Sequence, residues 1–112
     1  TRVLLDFELA REGIDPAGIS GYTREEPTHL AIAAAISADR ADCGMGVLAA
    51  ARAFELDFVP VTREPYDLVL ELESLELPAL EPFWQLLESP AFRAAVEQLG
   101  GYDTAEMGRR IR

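Results

Sequence analysis

The run from Leu30 to Ala38, LAIAAAISA, constrains this chain most. It is almost wholly apolar and rich in alanine, so a helix built from it must be buried over most of its surface. Thr28, just ahead of it, is a good N-cap, because its hydroxyl can accept from N–H groups that the first helical turn leaves unpaired. Asp39 and Arg40 make a turn. Ala41 to Gly44 then reads as a short buried strand, and Gly46 lets the chain turn again. A helix feeding a buried strand is half of an α/β unit. In open α/β sheets, ligands meet the chain at strand carboxyl ends and helix N-termini.

The rest of the chain supplies more such elements. Val3, Leu4, Phe7 and Ala10 follow helical spacing, with Leu5 and Leu9 widening the stripe, which predicts a helix over Thr1 to Glu12 with Gly13 ending it. Gly18 to Thr23 is a strand candidate weakened by two glycines, and VLAAARAF (Val47 to Phe54) is a second small-residue helix. Leu56 to Val61 reads as a strand whose Pro60 places it at an edge or an end. Tyr66 to Glu73 alternates, with Leu68, Leu70 and Leu72 on one face and Asp67, Glu71 and Glu73 on the other, as in a half-buried strand. Leu80, Phe83, Trp84 and Leu87 form a helical stripe. Ser89-Pro90 is an N-cap followed by proline at the first helical position, and Phe92, Val96 and Leu99 form the core face of the helix it opens. Gly100-Gly101 stops that helix. Asp103 and Glu106 have capping-box spacing, which predicts a last short helix with Met107 and Ile111 turned inward.

Size and charge narrow the functional classes. A chain of 112 residues that is 49% hydrophobic forms one modest domain with a core. A net charge of −10 argues against a general nucleic-acid or anionic-membrane surface. It leaves room for a small anion, because helix-start N–H groups act locally. Cys43, the single cysteine, forms no disulfide within the chain and reads as a buried structural thiol in an apolar strand. No run reaches transmembrane length and no signal peptide is visible. The expected location is the cytoplasm, or the periplasm if an upstream segment carries a signal. The chain opens inside a helical pattern without Met, and is expected to be a fragment of a longer protein.

No constellation for metal binding or catalysis stands out. There is no nucleophile elbow, P-loop or dinucleotide fingerprint, and Gly44-Met45-Gly46 is only a GxG. The expectation is a protein that is not an enzyme and carries no cofactor. Thr28 and His29 sit where a helix dipole favours negative charge. Thr28 is either a plain cap or a ligand contact, and His29 is either a donor or a structural histidine. Tyr66, at a strand start, either points into a cleft or packs at the strand end.

Several stretches together resemble a known family: TRVLLDFELAREGIDP, GYTREEPTHLAIAAAISADRADCGMGVLAAA, LDFVPVTREPYDLVL and LGGYDTAEMGRRI. They look like the type-2 periplasmic-binding-protein-like domain of prokaryotic molybdate-binding proteins. That domain also occurs fused to helix-turn-helix regulators or molybdopterin-biosynthesis proteins, and is akin to the substrate domain of LysR-type regulators. The resemblance runs over nearly the whole chain. It implies mostly one lobe of a two-lobed domain, with polar contacts from the Thr1 helix start, the Thr28-His29 helix start and Tyr66. The implied ligand is an oxyanion such as molybdate or tungstate.

The expected architecture is therefore α/β, a three-layer lobe. A short, mainly parallel sheet (about 18–22, 41–45 and 57–61) is flanked by helices, with one antiparallel strand at 66–73 and C-terminal helices. The expected function is ligand binding or sensing, in a transcriptional regulator or a molybdenum-cofactor-related protein, with Thr1, Thr28, His29 and Tyr66 in contact with a small anionic ligand. The competing readings are an interaction module that buries apolar surface by forming a homodimer, and a non-catalytic domain of a molybdopterin-biosynthesis enzyme.

Overall fold

The computed structural model describes residues 1–111. Regular structure among them is helical throughout: α1 (Arg2–Arg11), α2 (His29–Ser37), α3 (Leu48–Ala53), α4 (Glu81–Glu88) and α5 (Pro90–Leu99), with short 3-10 turns at Pro16–Gly18, Leu72–Glu76 and Pro78–Leu80. The chain divides into two units, Thr1–Phe58 and the part from Val59 onward.

In the first unit, α2 packs on α3. The buried apolar residues are four alanines, Ala33 and Ala35 of α2 with Ala50 and Ala51 of α3. Alanine lets helix backbones approach closely, and here it forms the whole buried interior. Gly44 extends the same close packing. A Cβ placed on it would lie 2.5 Å from Ile32 Cγ2, so only hydrogen fits between this backbone and the β-branched side chain.

All three helices of this unit end in the same way. After α1, Gly13 has φ +68°; Gly13 N–H donates to Ala10 O and Ile14 N–H to Leu9 O. Asp39 and Glu55, both at φ +54°, do the same after α2 and α3. Their bonds are Asp39 N–H to Ile36 O with Arg40 N–H to Ala35 O, and Glu55 N–H to Arg52 O with Leu56 N–H to Ala51 O. These are Schellman closures, which satisfy the last carbonyls of each helix internally. The Gly13 stop is as expected from sequence. The predicted core stripe of α1 is met only in part. Val3 and Phe7 are exposed, while Leu4, Leu5 and Leu9 are half-buried.

An electrostatic cluster fastens α1 to the loop ahead of α2. Arg2 pairs with Asp6 at 3.3 Å and Glu25 at 3.4 Å. It donates to Tyr22 O at 2.8 Å and lies 3.9 Å from the centre of the Tyr22 ring. Tyr22 in turn donates its hydroxyl proton to Asp6. Arg24 donates to Arg40 O at 2.6 Å, fastening the same loop to the far end of α2.

In the second unit, α4 packs on α5. Ser89 caps α5 by accepting from Phe92 N–H at 3.4 Å, and Pro90 occupies its first turn. Phe92 and Val96 are half-buried as expected, but Leu99 is exposed. Gly100, at φ +84°, ends the helix. Arg93 then holds the following segment, donating to Thr104 O at 2.9 Å and Met107 O at 2.7 Å. The buried Thr104 hydroxyl donates to Glu97. The predicted last helix is only a turn, in which Asp103 Oδ1 accepts from Ala105 N–H, and Ile111 is exposed.

The expected α/β lobe is corrected by the structure: no strand occurs among the described residues. Over 18–22, local bonds win. Asp15 caps the Pro16 turn, Gly21 takes φ +78°, and Tyr22 and Arg24 N–H groups close turns on Ile19 and Gly21. Residues 41–46 and 57–70 make no backbone–backbone hydrogen bond among the described residues. A strand exists only by pairing with another, so an alternating pattern without a ladder partner stays irregular. Tyr66 to Leu72 keeps its alternation with no surface to bury it, and Val69 is 94% exposed. Cys43, expected in a buried strand, is likewise exposed.

Candidate functional site

The four residues singled out from sequence are placed as follows. Thr1 stands at the N-cap of α1, exposed, and its side chain makes no capping bond. Thr28 caps α2 with extended backbone (φ −141°, ψ 157°). Its Oγ1 accepts from Ala31 N–H at 3.0 Å, and its carbonyl accepts from Ile32 N–H at 3.1 Å. His29 is the first residue of α2 and half-buried, with Nδ1 buried and unpaired among the described residues. A Cβ on Gly46 would lie 3.7 Å from this nitrogen, so the imidazole packs over the Gly46 backbone, where no turn forms. Tyr66 belongs to the second unit and is 91% exposed.

Chain geometry at the start of α2 leaves donors available. The N–H groups of His29 and Leu30 have no acceptor among the described residues, and no acidic residue occupies the first turn. Unpaired N–H groups and the positive end of the helix dipole make this end receptive to negative charge.

Two hollows lie elsewhere. In the first unit, a cleft of about 270 Å³ is lined by Ile32 and Ile36 of α2, Val47, Ala50, Leu56 and Phe58, with Asp42 and Asp57 in its wall. An apolar lining bordered by two carboxylates repels an anion, so this cleft is not an oxyanion pocket. In the second unit, a more open hollow of about 480 Å³ is formed by Leu75, Glu76, Leu77, Pro78, Glu81 and Trp84 with Arg110. The Arg110 guanidinium lies 5.0 Å from the centre of the Trp84 ring, and Phe83 meets that ring edge-on at 5.0 Å. Sequence reasoning placed Trp84 in a core stripe and overlooked Arg110, because nothing in their spacing links residue 84 to residue 110. No cluster of three or more metal-ligating side chains exists among the described residues, and none of their helices is long and apolar enough to cross a membrane.

Residues 1–88 match a PBP-like domain of the PBP superfamily. The chain belongs to that superfamily. Its placement there identifies a periplasmic-binding-protein-like domain, of a kind that binds ligands. The chain is 35% identical over 110 residues to an uncharacterized protein in the ferredoxin 2Fe-2S gene 5′ region of Clostridium pasteurianum, covering 97% of each. It is 36% identical over 110 residues to the uncharacterized protein YvgK of Bacillus subtilis (strain 168), covering 98% of this chain and 35% of that one. The chain thus spans nearly all of one relative and about a third of the other. Neither is named for a ligand, so the comparisons carry the domain type and not the molybdate or LysR detail. No solved structure matches the chain significantly.

Proposed function

We propose that this PBP-like domain binds a small oxyanion of the molybdate or tungstate class at the start of α2. The observation that supports it is the capped helix start itself. Thr28 accounts for the N–H groups of Ala31 and Ile32 and leaves those of His29 and Leu30 unpaired among the described residues. Neutral donors of this kind hold an oxyanion without a formal positive charge, which suits a chain of net charge −10. Thr1, in the same unit, is a further contact in this reading, and Tyr66, in the other unit, is left out of it. The domain's place in a regulator or a molybdenum-cofactor-related protein is part of the same reading.

Calorimetric titration with molybdate, tungstate, sulfate and phosphate tests the reading. His29→Pro removes the first N–H while keeping the helix, since proline fits the first turn and Thr28 already has the extended backbone that a following proline requires. Binding to wild type that survives in His29→Ala and weakens in His29→Pro supports backbone recognition. Failure of all four anions to bind rejects it.

A second reading is favoured by the stretch Val59 to Leu72. Val59, Val61, Tyr66, Leu68, Val69 and Leu72 are all more than half exposed. Such surface is characteristic of interaction sites, and self-association would cover it. Solution mass by light scattering separates a monomer from a dimer.

A further inference from the structure

We propose that the hollow beside Trp84 is a binding site for a small organic cation, an alkylammonium or guanidinium group, and that Arg110 occupies it in the free protein. The site is in the second unit and does not depend on the oxyanion reading. Its floor is the indole face of Trp84, whose ring quadrupole attracts positive charge. Two carboxylates, Glu76 and Glu81, line the same hollow, and Gln85 holds Glu81 by a hydrogen bond of 3.1 Å. The Arg110 guanidinium sits 5.0 Å from the centre of the ring, where an incoming cation would sit.

Two further features make Arg110 replaceable. It lies in a stretch without regular structure, which passes close to α4 where Gly108 approaches Leu87. No ion pair among the described residues fixes its guanidinium, whereas the neighbouring Arg109 is paired to Glu106. The hollow keeps about 480 Å³ open with the arginine in place, room for a ligand of several heavy atoms, and displacing the arginine frees the ring face itself. An internal arginine of this kind acts as a competitor and lowers the apparent affinity for any external cation by the fraction of time the site is filled.

The chain has one tryptophan, so its fluorescence reports on this site alone. Choline chloride is titrated into the intact protein, with sodium chloride at equal ionic strength as the control. The expected result is a saturable change with choline only. Arg110→Ala, outside the helices, is expected to tighten binding about five-fold by removing the competitor. Glu76→Gln is expected to weaken it, and far-ultraviolet circular dichroism verifies that each variant is folded. Identical responses to choline and sodium chloride in both wild type and Arg110→Ala overturn the proposal. So does an acetate-dependent signal that Arg110→Ala abolishes, which makes Arg110 an anion contact instead.

Discussion

At the scale of single residues, backbone conformation and hydrogen-atom-sized gaps decide most of what a substitution does. Gly44 faces Ile32 with no room for a methyl group. Gly44→Ala is expected to lower stability by roughly 1–3 kcal/mol, the usual cost of overpacking, read as a lower urea midpoint at unchanged slope. Glu55 is the reverse case. It holds φ +54° at a helix end where glycine is the unstrained choice. Glu55→Gly is expected to raise stability by about 0.5–1 kcal/mol, because relief of the left-handed conformation exceeds glycine's added freedom in the unfolded chain. Tyr22 carries a pH dependence. Its hydrogen bond to Asp6 pushes the phenol above the ordinary tyrosine value, against the opposing pull of Arg2. The raised value means that the folded state holds the proton more tightly than the unfolded state. Its stabilising contribution is complete below the unfolded tyrosine pKa of about 10 and is lost as pH rises through the folded value. Urea unfolding at rising alkaline pH should show this loss in wild type and a smaller one in Tyr22→Phe.

At the scale of elements, local chemistry was legible in the sequence and non-local pairing was not. Thr28, Ser89, Gly13 and Gly100 mark helix ends because a cap or a left-handed stop needs only its own neighbours. Tyr66 to Leu72 has a strand's alternation, but that pattern says only which side chains share a face and does not supply a neighbour to pair with. The candidate site divides the same way. The Thr28-His29 helix start could be read from residue types, whereas the meeting of Trp84 with Arg110 depends on how the chain returns after α5. That return rests on Arg93, whose two bonds reach carbonyls 11 and 14 residues on. Arg93→Lys keeps the charge but loses the two-pronged grip. A loss of roughly 1–2 kcal/mol is expected by urea unfolding, accompanied by a change in Trp84 fluorescence.

At the scale of the whole molecule, apolar surface is distributed unevenly. A composition that is 49% hydrophobic predicts a substantial core, yet large apolar side chains such as Val59, Tyr66, Val69 and Leu72 remain exposed. What composition could not reveal is whether the folded chain covers those side chains itself. If self-association covers them, Val69→Asp is expected to return the mass in light scattering to that of a monomer while leaving helical content unchanged. A monomeric wild type at all concentrations would reject self-association.

The alanine interior of the first unit has a consequence for how that unit meets heat. A methyl group has no side-chain torsion to freeze, so ordering Ala33, Ala35, Ala50 and Ala51 forfeits almost no rotational freedom. The same methyl groups shield little oily area from water, and the heat-capacity increment that bends a stability curve scales with that area. An interior so economical at both ends is expected to give a shallow stability curve, read in calorimetry as a small heat-capacity step.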